Sequence, residues 1–572
     1  MLNVLTALSE DRGTFLNVNI AMFRWVAPIL ALILLIRCIR PLLTFRREPE
    51  IWAWICLADG KKHAVTHWEN VIGRSKRSDI VIDVPTVSRT HGVLTRYDDG
   101  SWTISDADSK SGIFVNDEKI TVCALHPEDV ITIGGVDMQL QPITQRQEKM
   151  LSQLRTKGSS NRTGLINLVL LTAFQVLTCF LFMLGDRASG SVFLGFTGIV
   201  VLQWMLYLFY VCIKRTAFEQ ETIAFFLSTL GMAVIATVVP SEATKQLAAL
   251  AMGVVTYLII GWSLRDLERA KVIRYIAAVA GVGFLLVTLA MGTTINGAKG
   301  WLIIGPLSLQ PSELSKVCFV FVGASTLNRI VTKRNIVLFI AYSVVVCGCL
   351  AAMNDFGTAL IFFCAFLVIA YMRSGNMGTI GLAVTALVFA GVVVLKLAPH
   401  ALDRFAAWRH IWEMPTEGYQ QTRALMCMAS GGLLGLGLGQ GWMRVFPAAA
   451  SDMAIATLAE EWGLLMVIMA ILCVVALALF AVRAASVGRS SFYTIGACTA
   501  ASILLVQTIL NALGTVDVLP LTGVTFPFLS NGGTSMICVW GLLAFIKCAD
   551  TRQNASFAVR LVKNREEEET DE

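Results

Sequence analysis

The sequence predicts a multi-span α-helical membrane protein of about thirteen transmembrane helices that also carries one cytoplasmic all-β domain. Two observations predict the helical part. Of 572 residues, 55% are hydrophobic and only 15% are charged, and the mean hydropathy is +0.67. Apolar runs of about 20 residues, the length that crosses the hydrocarbon of a bilayer, recur along the chain. The third observation is a polar stretch, residues 46–162, that holds short β-type segments and no such run. Ordinary soluble domains carry about 25% charge, so the composition excludes a soluble enzyme, a disordered chain and a nucleic-acid binder. The net charge of +6 is met by basic cytoplasmic loops. Most of the 14 cysteines lie inside apolar runs, as Cys179, Cys318, Cys364, Cys473 and Cys538 do. Buried thiols are therefore expected, not a disulfide framework or a zinc site.

The first apolar run, residues 20–36, reads as a membrane anchor within residues 1–45. A secretory signal is the alternative, but the run carries Arg24 early and has no clear cleavage site. Arg37, Arg40, Arg46 and Arg47 follow it as a stop-transfer flank. After the β domain (51–142) and a linker (143–162) come twelve further candidate spans. They fall at 163–184, 190–213, 222–240, 245–262, 272–291, 312–330, 334–352, 356–372, 378–397, 457–482, 491–513 and 529–547. Alternate loops are basic: Lys214 and Arg215; Arg265, Arg269, Lys271 and Arg274; Arg329, Lys333 and Arg334; Arg373; Arg483 and Arg489. Lys547, at the end of the last span, and Arg552, Arg560, Lys563 and Arg565 in the tail, 548–572, continue the pattern. The positive-inside rule then places the N-terminus outside and the β domain and tail in the cytoplasm. The acidic run 566–569 reads as a solvated tail.

One expected outside loop breaks the pattern. Residues 398–456 hold Arg404, Arg409, Arg423 and Arg444 against Asp403, Glu413, Glu417 and Asp452. Four arginines suggest an anion site, and the balanced charges also fit a solvated loop.

Within the β domain, Ile80-Val81-Ile82, Gly92-Val93-Leu94, Trp102-Thr103-Ile104, Ile113-Phe114-Val115 and Val130-Ile131-Thr132-Ile133 are spaced about ten residues apart, as in a β-sandwich. Gly73-Arg74, Asp79-Ile80, Val87-Ser88-Arg89-Thr90-His91 and Asp108 through Asn116 follow in an order that resembles a forkhead-associated (FHA) domain. The resemblance implies a phosphothreonine site in which Arg74 and Ser88 hold the phosphate, Arg89 lies beside it and His91 braces the loop. An arginine fork matches phosphate oxygens. One departure is Ser111, where the family's asparagine contacts the bound peptide. Phosphate-independent docking is the alternative use of such a sandwich.

Four polar or Gly/Pro-rich patches sit at membrane boundaries on the expected outer side. The first runs from Asn296-Gly297-Ala298-Lys299-Gly300-Trp301 to Gln310-Pro311-Ser312-Glu313-Leu314-Ser315-Lys316. Glu313 and Lys316 share a helix face, either as a structural ion pair or as a functional one. The second is Asn354-Asp355-Phe356-Gly357, where Asp355 could also be a helix cap. The third holds Gly418-Tyr419-Gln420-Gln421, the glycine-rich run ending at Gln440, then Ser451-Asp452 and Glu460-Glu461-Trp462-Gly463. The fourth holds Gln507, Asn511, Pro520-Leu521-Thr522-Gly523 and Pro527-Phe528-Leu529-Ser530. Irregular backbone at membrane depth is tolerated where it lines a cavity, so four such patches suggest one shared cleft.

Together these patches resemble the SEDS family (FtsW, RodA, SpoVE) over about 222–547, which leaves 163–221 as additional transmembrane helices. The resemblance implies a peptidoglycan glycosyltransferase that polymerises lipid II at the outer face of the bacterial cytoplasmic membrane with a class B penicillin-binding protein. It maps the catalytic carboxylate onto Asp452, preceded here by Ala450-Ser451 where the family often has His-Thr. Lys299, Glu313, Lys316, Asp355, Arg404, Arg409, Arg423, Gln440, Arg444 and Ser530 are the candidate substrate-cavity residues. No cofactor is required, and a divalent cation, Mg²⁺ or Mn²⁺, is compatible with the diphosphate. The alternatives are a lipid II flippase and a non-catalytic scaffold for division or elongation.

Overall fold

A computed structural model gives the architecture. It describes residues 2–43, 51–144, 159–325, 333–397 and 405–556, apart from 68, 77, 97–99, 186, 266, 296, 306, 375–376, 415, 486–489 and 553–554. Asn296, Arg329, Asp403, Arg404 and the acidic run 566–569 therefore lie outside the described residues.

The first helix, α1 (Leu2–Leu43), has 42 residues. At 1.5 Å per residue it is about 63 Å long, so the expected anchor is only part of it. The β domain follows as two sheets. One holds β1 (Ala53–Leu57), β2 (Lys62–Val65), β7 (Ile113–Val115), β8 (Glu118–Ile120), β10 (Val130–Ile133) and β11 (Val136–Pro142), in the order β2-β1-β11-β10-β7-β8. The other holds β3 (Glu69–Gly73), β4 (Ile80–Val81), β5 (Gly92–Arg96), β6 (Trp102–Asp106) and β9 (Val122–Leu125), in the order β4-β3-β5-β6-β9. Alternate residues point inward, so Ile72, Ile104, Ile113, Ile131 and Ile133 are fully buried in the shared core. The five segments with β-type sequence are all strands. The remaining six are held by pairing that the sequence pattern does not advertise.

The helical body comprises α2 (Asn161–Leu184), α3 (Gly190–Cys212), α4 (Glu219–Val238), α5 (Ala243–Ser263), α6 (Leu267–Met291), α7 (Pro311–Ser325), α8 (Lys333–Ala352), α9 (Phe356–Ser374), α10 (Met377–Leu397), α11 (Tyr419–Gly431), α12 (Ala454–Trp462), α13 (Leu464–Ala485), α14 (Ser491–Thr515) and α15 (Gly533–Cys548). Ser160, Ser189 and Ser490 cap α2, α3 and α14 by accepting an early backbone N–H. Among the described residues, 8 helices are long and apolar enough to cross a membrane, and three shorter apolar helices accompany them. The other two expected spans fall on α7 and α10. α4 is almost wholly buried, because α1, α2, α3, α5, α12, α13 and α15 all pack against it. Polar glue fixes this packing: the Gln175 and Gln203 amides exchange hydrogen bonds of 3.0 and 2.7 Å, and Gln175 also reaches Thr229 at 2.9 Å.

Two expectations are corrected. The expected span 457–482 is two helices. Gly463, at φ +84°, breaks it after Trp462, and a side chain there would press on the Leu433 carbonyl. Only glycine accepts both conditions. Lys547, Arg552 and Arg215, counted as loop charges, are buried. Lys547 pairs with Glu221 at 3.1 Å, where Tyr210 and Tyr257 also bind, and Arg552 pairs with Asp550 at 2.7 Å and Glu219 at 3.2 Å. Buried charge of this kind survives only when paired.

The break at Gly463 frees backbone that the glycine-rich loop uses. The amides of Leu436 and Gly437 bind the Glu460 and Glu461 carbonyls at 2.8 and 3.0 Å, and Leu464 N–H binds Gly432 at 2.9 Å. Gly435 sits at φ +80°, and an added Cβ would lie 2.1 Å from the Glu461 carbonyl oxygen. Gly435→Ala is expected to cost at least about 1–3 kcal/mol from backbone strain alone, and the clash adds to it. Gly432 shares a positive φ but has open space around it. The apparent melting temperature in detergent should fall further for Gly435→Ala than for Gly432→Ala, and equal falls would refute the close approach.

Candidate functional site

Asp452 stands in the turn just before α12 and is half-buried. The turn is tied to the fourth patch. Asn511 Nδ2, on α14, donates to the main-chain carbonyls of Asp452 at 2.8 Å and Val524 at 2.7 Å. Ser530 Oγ donates to the Ser451 carbonyl at 2.6 Å and accepts from Phe526 N–H at 2.9 Å. Asn531 N–H donates to the Ala450 carbonyl at 2.7 Å. Each such bond contributes about 1 kcal/mol, so two segments distant in sequence hold the carboxylate's backbone in one place. Gly523 faces the carboxylate: an added Cβ would sit 3.5 Å from Asp452 Oδ2.

The second patch packs against the fourth, and the first lies beside the second. Gly357 packs on Thr522 and Val524, on either side of Gly523, so the start of α9 lies against the segment that faces Asp452. Asp355 caps α9 by accepting Thr358 N–H at 3.1 Å, and it lies within electrostatic reach of Lys316 and Glu313. Lys316 Nζ is 2.6 Å from Glu313 Oε1, with both side chains buried. The run around Lys299 folds as a small sheet, β12 (Thr293–Ile295), β13 (Ala298–Ile304) and β14 (Leu307–Leu309). Lys299 N–H binds the Met353 carbonyl at 2.9 Å, which ties the sheet to the end of α8, and its Nζ donates to the Leu289 carbonyl at 2.6 Å.

The arginines are less gathered than their spacing suggests. Arg409 is exposed, stacks over Trp408 at 5.3 Å, and its N–H binds Asp517 at 3.2 Å. Arg423 stacks over Tyr419 at 5.3 Å and Phe446 at 6.0 Å, while among the described residues its Nε has no hydrogen-bond partner. Gln440 and Arg444 line another cavity, which Asp452 does not line. Asn511, Glu460 and Glu461 have structural roles that the candidate list omitted. Glu460 accepts the N–H groups of Trp442 and Met443 at 2.9 and 2.7 Å. Glu461 accepts from Thr237 at 2.8 Å and from Gly441 N–H at 3.4 Å. The signal available for them was their position as polar residues inside apolar runs.

In the β domain, three loops meet at one end. Ser88 Oγ accepts Lys110 N–H at 3.1 Å, and Arg74 N–H donates to the Ser88 carbonyl at 3.0 Å. His91 is fully buried and its ring joins Ser88 N–H (3.0 Å) to the Gly112 carbonyl (3.0 Å). Ser111 Oγ donates to the Thr86 carbonyl at 3.2 Å. Arg74 and Arg89 therefore flank a loop cluster that is already braced. The β domain also touches the helices: Ser491 Oγ, at the start of α14, donates to Glu69 at 2.6 Å.

Residues 239–555 match the family model described as cell cycle protein, FtsW/RodA/SpoVE, and residues 70–134 match that of the FHA domain. A peptidoglycan glycosyltransferase RodA from Mycobacterium tuberculosis is 28% identical over 325 residues, which cover 53% of this chain and 69% of that protein. A probable peptidoglycan glycosyltransferase FtsW from Nitrosococcus halophilus is 33% identical over 287 residues, covering 47% and 73%. Among solved structures, a chain of a peptidoglycan synthase complex is 24% identical with a TM-score of 0.49, over 57% of this chain and 96% of that one.

Proposed function

The chain belongs to the FtsW/RodA/SpoVE family, and on that premise we propose that it is a peptidoglycan glycosyltransferase that polymerises lipid II at the outer face of the bacterial cytoplasmic membrane. The observation that carries this reading is the placement of Asp452: an accessible carboxylate whose backbone is pinned from α14 and from 523–531. Asp452 takes the proton of the acceptor's GlcNAc 4-hydroxyl as general base. The hydroxyl oxygen attacks the anomeric carbon of the donor's MurNAc, and the bond to undecaprenyl diphosphate breaks. Asp452 also lies just before the N-terminus of α12, where the helix dipole favours negative charge. Lys299, Arg409 and Arg423 are the cations proposed to offset the diphosphate. Glu313, Lys316 and Asp355 shape the wall of the cleft. The reading needs no cofactor. A Mg²⁺ or Mn²⁺ ion is compatible with it: Asp452 would help to hold such an ion, and the ion would offset charge on the diphosphate.

We further propose a class B penicillin-binding protein as partner and a phosphothreonine-bearing protein as ligand of the cytoplasmic FHA domain. Arg74→Ala should weaken a phosphothreonine peptide by about 10- to 100-fold, the worth of a charge-assisted hydrogen bond. Calorimetry against the unphosphorylated peptide checks this, and equal affinity for both peptides would support phosphate-independent docking.

The test of the whole reading is polymerisation. The full chain, purified with a class B penicillin-binding protein and given fluorescent lipid II, should yield a ladder of glycan strands that a muramidase digests. No ladder, where a control polymerase makes one in the same mixture, would overturn it in favour of the flippase or scaffold.

A further inference from the structure

We propose that the cavity between α1, the end of α2 and the glycine-rich loop binds a phosphate group carried on a lipid anchor. The cavity holds about 270 Å³. Its floor is apolar, with Ile20 from α1, Phe182 from α2 and Leu438 from the loop; its polar lining is Arg187, Gln440 and Arg444. No carboxylate lines it among the described residues. The two arginines come from different elements and converge on one backbone position. Arg444 Nη1 donates to the Gly439 carbonyl at 3.1 Å, and an added Cβ on Gly439 would lie 3.6 Å from Arg187 Cγ.

Among the described residues, Glu460 and Glu461 pack against Gly441, one of the residues of the lining. Glu460 and Glu461 are committed to the N–H groups of Gly441, Trp442 and Met443 and to the Thr237 hydroxyl. A third cation lies close. Arg24 lines a small adjoining cavity that shares Ile20 and Leu438 and that Glu461 also lines, and among the described residues its buried Nε has no hydrogen-bond partner. Two or three guanidinium groups around a small apolar-floored hollow fit a phosphate ester better than any neutral ligand, because their forks match its oxygens. The volume lies just below the range of about 300–1,000 Å³ usual for small-molecule pockets, so it suits a head group rather than a lipid-linked disaccharide. Trp442, 71% exposed at the rim, is the kind of residue that settles at a membrane interface.

Ile20, Phe182 and Arg187 lie before residue 239, where the match to the family begins. The site is thus built in part by helices that precede the family match and in part by the glycine-rich loop within it. It stands on its own geometry and does not depend on Asp452 catalysing polymerisation. The phosphate has two possible lipid sources, the phosphodiester of a phospholipid or the diphosphate of a polyprenol, and they share the chemistry recognised here.

The test uses the full chain in detergent and native mass spectrometry with phosphatidylglycerol, undecaprenyl diphosphate and inorganic pyrophosphate as separate probes. Wild type should retain at least one lipid, and Arg187→Gln with Arg444→Gln should weaken that binding by at least tenfold. Retention of phosphatidylglycerol alone assigns the phospholipid, and of undecaprenyl diphosphate alone the polyprenol. Equal affinity for free pyrophosphate would overturn the lipid anchor, and equal retention by wild type and the double variant would overturn the site. Should the double variant fail to elute as a monodisperse peak, Arg187→Gln alone, at a half-exposed position, carries the same comparison.

Discussion

Asp452→Asn is expected to abolish detectable glycan polymer while leaving the protein folded and bound to the proposed penicillin-binding partner. The amide keeps the shape of the side chain but cannot accept the hydroxyl proton, and loss of a general base costs about 10²–10⁴-fold in rate. The substitution should be structurally mild. The bonds that fix the turn run through main-chain atoms: the Asp452 carbonyl to Asn511, the Ser451 carbonyl to Ser530, and the Ala450 carbonyl to Asn531. Labelled lipid II resolved by chain length on a gel reads the outcome, with the melting temperature as a check on folding. Polymer at the wild-type rate from Asp452→Asn would move the base elsewhere.

Lys316→Met is expected to be the most destabilising of the cavity substitutions. Lys316 and Glu313 are both buried and meet at 2.6 Å, so removing the ammonium strands a carboxylate inside the bundle. Breaking such a pair typically costs about 3–5 kcal/mol, whereas replacing both partners with apolar groups is often close to neutral. The double variant Glu313→Leu with Lys316→Met should therefore recover most of the melting temperature that Lys316→Met loses. The two readings of the pair then separate. A purely structural pair predicts that polymerisation returns with stability. A pair that shapes the lipid II cleft predicts a stable, inactive double variant, because its polar wall is gone. A double variant no more stable than the single would show that the pair is not the isolated unit its geometry describes.

Much of the fold was legible because its signals are local. An apolar run of about 20 residues marks a span wherever it stands, and β-type segments about ten residues apart marked the strands around Ile104, Ile113 and Ile131. Six further strands were missed: Glu118–Ile120 and Lys62–Val65, for example, carry charged residues and sit at sheet edges. The break after Trp462 was missed for a different reason. The apolar run resumes on both sides of Glu460–Gly463, and Gly463 looks like any glycine in a span until the backbone of 433–435 is seen to lie against it. The arginines of 398–456 shared a loop and a charge sign, yet the fold sends them to different neighbours: Arg409 to Trp408, Arg423 to Tyr419, Arg444 to the cavity with Arg187.

The sequence by itself determined that the chain is a helical membrane protein with a β-sandwich of FHA type, and it singled out Asp452, because composition, run length and motif order are properties of neighbouring residues. Only the tertiary structure decided what holds that aspartate and what the buried charges do. Asn511 reaches Asp452 across 59 positions, and Lys547 reaches Glu221 across 326. A hydrogen bond or ion pair between such residues exists only because the intervening helices pack side by side, and nothing in either residue's own neighbourhood specifies its partner.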